Sequence, residues 1–389
     1  MKFKRVFLMI LDSLGVGEAE DSIKYDSKGA NTLGHIVEKT DLFIPNLAKI
    51  GLLNTINMDE NKDVDAYYTI ARPTNIGKDS LNGHYEIMGV SSEAVFKTFN
   101  EGFPNELLND IEKITGRKVI GNKIAGSSNE IINELGDLEK SYGSLIVYTS
   151  ADSDIQIAAH EDVIPISTLY TYCENIRELT LRDEYKVARI IARPFTGKTG
   201  HYRLISSARK DYSIKVTERT LLNELNENKY NVIGIGKISD IFDEKVVNKT
   251  IKVSNNQEAV NKLLTIMDKK FTGICMVNLD DFDSIYGHNR DVEGYKRALE
   301  ELDVEIPIIL NKLELDDLLI ITADHGNDPT YPGNYHTREN VPVIFYSNKF
   351  VKPRKLSQLS SLGSIGATIA DNFELSKTEI GLSILEELE

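Results

Sequence analysis

Val6-Phe7-Leu8-Met9-Ile10-Leu11 is an unbroken apolar run that stops at an acid, Asp12, and continues as Ser13-Leu14-Gly15-Val16-Gly17. Apolar residues in sequence, without alternation, read as a strand buried on both faces, the kind from which parallel sheets are built. The pattern returns twice near the other end of the chain. Gly273-Ile274-Cys275-Met276-Val277-Asn278-Leu279 runs on to Asp283, with His288 beyond it. Leu318-Leu319-Ile320-Ile321-Thr322 meets Ala323-Asp324-His325-Gly326-Asn327, and His336 follows in a loop. Ligand sites in parallel α/β sheets collect outside the carboxyl ends of the strands. Asp12, Asp283, His288, Asp324, His325 and His336 are therefore expected to meet there as ligands of a pair of divalent metal ions.

Further strand patterns at 232–235 and 341–346, with a long helical pattern at 292–312 among them, predict an α/β fold with a doubly wound, largely parallel sheet. The middle of the chain is different. Asn105 to Thr115 reads as a helix ended by Gly116, and 144–149 and 187–192 as strands, but no candidate ligand lies there. Because both ends supply one site, residues 1–100 and 217–389 are expected to form a discontinuous metal-binding core. Residues 101–216 are then an inserted, smaller α/β cap.

The 389 residues carry 45 Lys plus Arg and 60 Asp plus Glu, a net charge of −15. Such a surface repels nucleic acid and anionic membrane, so neither is an expected partner, and no obligate protein partner is evident. A small phosphorylated substrate can still be drawn to local basic patches. With only two cysteines, Cys173 and Cys275, a disulfide framework is not expected, which points to the cytoplasm. Lys2, Lys4 and Arg5 before an apolar run imitate an export signal, but the run is too short and ends in an acid.

Cysteine is missing from the ligand set, which disfavours structural zinc. Mixed Asp and His suit Mn²⁺ or catalytic Zn²⁺, whereas Mg²⁺ prefers oxygen alone, so Mn²⁺ is expected. Two metals close together can hold a phosphoryl group and activate a hydroxyl. Ser80, within Gly77-Lys78-Asp79-Ser80-Leu81-Asn82-Gly83-His84, has the small hydroxyl and the loop setting of a nucleophile. Taken alone, it would be an ordinary turn serine.

These segments resemble a known family. With Leu11-Asp12-Ser13, Asn31-Thr32-Leu33-Gly34-His35-Ile36, Gly83-His84-Tyr85-Glu86-Ile87-Met88-Gly89, Tyr148-Thr149-Ser150-Ala151-Asp152-Ser153, Gly236-Lys237-Ile238-Ser239-Asp240 and Ala323-Asp324-His325-Gly326-Asn327-Asp328-Pro329, the chain is similar nearly end to end to the phosphopentomutases of the alkaline phosphatase superfamily. The resemblance implies one Mn²⁺ on Asp12, Asp324 and His325 and another on Asp283, His288 and His336, with Mg²⁺, Co²⁺ or Zn²⁺ as alternatives. It implies that Ser80 carries a phosphoryl group, and that Ser150, Asp152, Arg189, Arg203 and Lys237 contact the sugar phosphate, the arginines suited to a fork-shaped grip and the lysine to a point charge.

The implied reaction interconverts ribose 1-phosphate, or its 2-deoxy form, with the 5-phosphate through a 1,5-bisphosphate, in nucleoside salvage and pentose catabolism. A sugar bisphosphate such as glucose 1,6-bisphosphate would prime it. Three positions depart from the family: Ser80 stands where threonine is usual, Asn82 where a small hydroxyl is usual, and Tyr85 where tryptophan is usual. The alternative is a metal-dependent phosphatase or phosphodiesterase of the same superfamily. A non-catalytic sugar-phosphate binder is a third reading, against which the complete ligand set argues.

Overall fold

A computed structural model describes residues 1–56, 63–91, 97–99, 101–125, 128–150, 153–214, 219–242, 245–333 and 335–389. Thirteen strands are formed among the described residues. They are β1 (Arg5–Leu11), β2 (Tyr67–Ala71), β3 (Val119–Ile124), β4 (Leu145–Thr149), β5 (Asp154–His160), β6 (Arg189–Thr196), β7 (Arg203–Leu204), β8 (Lys210–Ser213), β9 (Asn231–Ile235), β10 (Lys249–Ile251), β11 (Gly273–Leu279), β12 (Asp317–Thr322) and β13 (Val341–Tyr346). The chain divides into two compact units, residues 1–93 with 217–389, and residues 94–216.

The first unit holds a seven-stranded sheet in the order β10-β9-β11-β1-β12-β13-β2. Every residue of β1, β11 and β12 is buried, as their unbroken apolar reading requires. β1 runs parallel to both neighbours, with Leu11 opposite Leu279 and Ile10 opposite Thr322. Three strand exits far apart in sequence are thereby brought level at one edge. At the opposite end Arg5 is buried and holds the strands in register. Its Nε donates to Asp317 Oδ1 at 2.7 Å, and its Nη1 to the carbonyls of Met267 and Lys269, each at 2.8 Å. The sheet is not wholly parallel, because β13 pairs antiparallel with both β12 and β2.

The second unit has a mixed sheet, β3-β4-β5-β6-β7, with β8 also on β6. Alternation sends its side chains to two faces. Leu145, Val147, Ile155, Ile157 and Ile190 pack against Leu107 and Ile111 of the helix Asn105–Thr115 and Leu169, Cys173 and Ile176 of the helix Ile166–Leu179. On the other face Ile146, Tyr148 and Ala158 meet Ile131 and Ile132 of the helix Ser128–Tyr142. The fold is α/β, as expected, and each unit has a hydrophobic interior of its own. No helix among the described residues is long and apolar enough to cross a membrane.

Candidate metal centre and nucleophile

Asp12 follows β1 directly and is fully buried. Asn278, a polar residue in the otherwise apolar β11, donates from Nδ2 to Asp12 Oδ2 at 2.8 Å. The next residue, Ser13, adopts the left-handed backbone (φ +73) uncommon outside glycine, which turns its N–H toward Asp324 Oδ1 at 3.2 Å. Asp283 is the second residue of a π-helical turn, Phe282–Gly287, after β11. That wider turn lets the His288 N–H donate to the Asp283 carbonyl at 3.0 Å, and it brings His288 Nε2 to 3.3 Å from Asp283 Oδ2. In an α-helix, residues five apart face different sides.

The loop after β12 supplies the rest. His325 Nε2 lies 3.4 Å from Asp12 Oδ1 and 3.6 Å from Asp324 Oδ2. His336 Nε2 lies 3.4 Å from Asp283 Oδ1 and 3.1 Å from His288 Nε2. Two groupings of ligand atoms result, Asp283 with His288 and His336, and Asp12 with Asp283 and His325, each within 4.8 Å. Asp324 sits beside the second, with His84 Nδ1 3.0 Å from its Oδ2. The structure thus brings all six sequence-derived ligands together and places Asp283 between the groupings.

These residues fit divalent cations. Asp12 Oδ1 and Asp324 Oδ2 are buried oxygens without a well-formed hydrogen bond, and such atoms are costly unless an ion satisfies them. Imidazole nitrogens and carboxylate oxygens converging on shared points are the donor set of a transition-metal site. The electrostatics is correspondingly tight. Burial would discharge His325, but Asp324 and Asp12 outweigh it and lift its pKa to about 10. Burial would protonate Asp283, yet His288 and His336 hold its carboxyl well below the usual range. Asp12 is pushed up by burial and by Asp324, against the pull of Lys237.

Ser80 is the first residue of the helix Ser80–Ile87. Asp79 caps that helix, its Oδ1 accepting from Leu81 N at 2.9 Å and Asn82 N at 3.2 Å. The Ser80 hydroxyl lies 3.1 Å from His325 Nε2 and accepts a hydrogen bond from Lys237 Nζ at 2.8 Å. Lys237 also pairs with Asp12, and with Asp280 Oδ1 at 3.0 Å. Burial opposes its charge, but Asp12 and Asp280 keep the ammonium protonated well beyond its ordinary range. Lys237 therefore belongs with the Ser80 hydroxyl and the Asp12 carboxylate.

In the second unit, Ser150 donates from its N–H to Asp154 Oδ1 at 2.9 Å and from Oγ to Asp154 Oδ2 at 2.7 Å. Arg189 starts β6 opposite Asp154, so Ser150 and Arg189 share one end of that sheet. Asp152 lies outside the described residues. Arg203 is elsewhere. It pairs with Thr196, at the other end of β6, roughly 23 Å from Arg189 at the rise of an extended strand. Arg189 and Arg203 are thus set at opposite ends of β6.

Several site residues escaped the sequence reading. Asn327 Nδ2 donates to Asp283 Oδ1 at 2.7 Å, Asn278 supports Asp12, and Asp280 supports Lys237. Asn278 carried a usable signal, a lone amide inside a fully buried strand. Buried Arg338 reaches the carbonyls of Asn75 and Pro73 in the loop before Ser80, while buried Glu339 accepts from Thr32 N and from Thr337 Oγ1 beside His336.

A family model described as the metalloenzyme superfamily matches residues 4–377. Among solved structures, the PH0037 protein of Pyrococcus horikoshii aligns at 13% identity over 97% of this chain and 99% of that one, with a TM-score of 0.48. The phosphoglycerate mutase of Leishmania mexicana aligns at 11% identity over 98% and 97%, also with a TM-score of 0.48. The cofactor-independent phosphoglycerate mutase of Thermoplasma acidophilum aligns at 12% identity over 90% and 91%, with a TM-score of 0.37. The family match spans nearly the whole chain and carries the assignment: this protein is a member of the metalloenzyme superfamily.

Proposed function

We propose that the protein is a phosphopentomutase, interconverting ribose 1-phosphate or 2-deoxyribose 1-phosphate with the corresponding 5-phosphate through a phosphoserine at Ser80. The observation that carries this reading is the placement of the Ser80 hydroxyl, which meets His325 and Lys237 beside Asp12. The extended resemblance supplies the substrate class.

Two divalent cations, Mn²⁺ by preference, would screen the charge on the phosphoryl oxygens and acidify an oxygen bound to them. Asp12, Asp324 and His325 would hold the one beside Ser80, and Asp283, His288 and His336 the other, with Asp283 in reach of both. The chain supplies the rest. Phospho-Ser80 gives its phosphoryl group to the free hydroxyl of a bound pentose monophosphate. The Ser80 O–P bond breaks, the new sugar O–P bond forms, and the sugar hydroxyl's proton is exchanged for one on Ser80 Oγ. Lys237, held protonated, donates a hydrogen bond to the departing serine oxygen. The bisphosphate turns over and returns its other phosphate to Ser80. The residue 94–216 unit would act as a cap that excludes water, keeping transfer to sugar ahead of hydrolysis. A sugar bisphosphate such as glucose 1,6-bisphosphate would prime Ser80, and the reaction would take place in the cytoplasm.

The test is a phosphorus NMR time course with ribose 1-phosphate, Mn²⁺ and a trace of glucose 1,6-bisphosphate. Ribose 5-phosphate is the expected product, with little free phosphate, and Ser80→Ala should abolish both turnover and labelling by the primer. Inorganic phosphate as the main product would instead establish a phosphatase. Normal turnover by Ser80→Ala would remove the phosphoserine route.

A further inference from the structure

Two separate segments supply the grouping of Asp283, His288 and His336: the π-helical turn Phe282–Gly287 after β11, and the chain between β12 and β13. They are not strand partners, so side chains must set the spacing between them.

Arg290 stands at the exit of the turn, two residues past His288. Its backbone is left-handed (φ +56), a conformation that a residue other than glycine keeps where its surroundings hold it. Its N–H donates to the Gly287 carbonyl at 3.1 Å, and its side chain folds back over the turn and across to the loop. Nη1 reaches the Gly287 carbonyl at 2.9 Å, Asn327 Oδ1 at 2.6 Å and the Asp328 carbonyl at 3.0 Å. Nη2 donates to the Tyr335 carbonyl at 2.8 Å, and Nε to that of Gly333. None of these acceptors is a carboxylate. The guanidinium serves here as a planar fork of donors rather than as half of an ion pair.

Two of these contacts bear directly on candidate ligands. Because Arg290 takes Oδ1 of Asn327, the other end of that amide faces the ligands, and its Nδ2 donates to Asp283 Oδ1 at 2.7 Å. A Cβ at Gly287 would lie 2.7 Å from the same Nδ2, so the glycine leaves the room that the amide fills. Tyr335 directly precedes His336, and the bond to its carbonyl holds the backbone from which that imidazole projects. The loop is also anchored through Asp328, whose Oδ2 accepts from Asn31 N at 3.0 Å.

We propose that Arg290 is the positioning residue of the Asp283, His288 and His336 site, tying the turn to the loop so that the three ligands are already assembled when a divalent cation arrives. This rests on the metal-binding reading of the centre and not on whether the enzyme transfers phosphate to sugar or to water.

The experiment is calorimetric titration of the metal-stripped full chain with Mn²⁺, with Arg290→Gly, Arg290→Lys and His288→Ala in parallel. Arg290→Gly suits the left-handed backbone and removes only the fork, so it has the best prospect of folding. It should weaken at least about tenfold the same Mn²⁺ step that His288→Ala removes, and the other step far less. Arg290→Lys keeps the charge on a single nitrogen and should restore only part of the affinity. Combined with Asn327→Ala, it should cost less than it does alone, since part of its effect passes through that amide. Two unchanged steps in Arg290→Gly would overturn the proposal. Equal weakening of both steps would overturn it as well, because that marks a general loss of structure. A wild-type chain that binds no Mn²⁺ would overturn the metal reading, and the role of Arg290 with it.

Discussion

Asp283 belongs to both ligand groupings, with Asp12 and His325 on one side and His288 and His336 on the other. Asp283→Asn should therefore weaken Mn²⁺ binding at both sites, whereas His288→Ala should spare the site beside Ser80. Titration calorimetry reads this as two weakened steps against one, and a single lost step in Asp283→Asn would refute the bridging position. Asn327, which donates to the same carboxylate, should cost roughly tenfold or more in affinity when changed to alanine, as outer ligand supports do. A different carboxylate governs pH dependence. Burial pushes Glu139 up to about 7, against the opposing pull of the His160 N–H and of Lys140. A folded pKa above the unfolded value of 4.5 means that the folded chain binds this proton more tightly. Its contribution to stability is full below 4.5 and is lost as pH rises through about 7. Denaturation midpoints of the wild type should fall across that window, and Glu139→Gln should flatten the slope. Equal slopes in both proteins would remove Glu139 as the cause.

The helix Ser80–Ile87 shows how an element can aim a single atom. A Cβ at Gly83 would lie 2.1 Å from the carbonyl oxygen of Asp324 and 2.8 Å from its Cβ, so this helix rests on the backbone that follows β12. Gly83→Ala should lift the helix and with it Ser80, costing about 1–3 kcal/mol of stability as overpacking does, and lowering turnover more than Mn²⁺ affinity. Thermal melts and kinetics on the same preparation check both. Strand exits of this kind were legible in the sequence, since β1, β11 and β12 are each built on a long apolar run and lead into the acids that matter. The direction of β13 was not. Between β12 and β13 the described residues form a loop with no helix in it, and without a crossover helix the returning strand pairs antiparallel. The π-helical turn was also hidden, because the spacing of Asp283 and His288 suits no regular helix face. β5 went unread because Asp154 and Gln156 break its apolar pattern. Asn327 and Asp280 gave no pattern, since their partners come from other segments of the chain.

At the scale of the whole molecule, two units with separate interiors should respond unequally to metal. All six candidate ligands belong to residues 1–93 and 217–389, so Mn²⁺ at a hundredfold excess over its dissociation constant should stabilise that unit by about 2.7 kcal/mol per site. Hydrogen exchange with and without Mn²⁺ should show added protection in β1, β11 and β12 and little in β4 to β6. Uniform protection of both units would contradict this. The order of the large sheet has a further consequence, for the birth of the chain. β1 is made first yet lies between β11 and β12, strands that begin at residues 273 and 317. At a synthesis rate of about 5–20 residues per second, β1 spends some tens of seconds without either neighbour. Residues 94–216, whose strands find partners within a short stretch, can fold in that interval, while the apolar run of β1 waits for its neighbours and is exposed to chaperones and to misassembly.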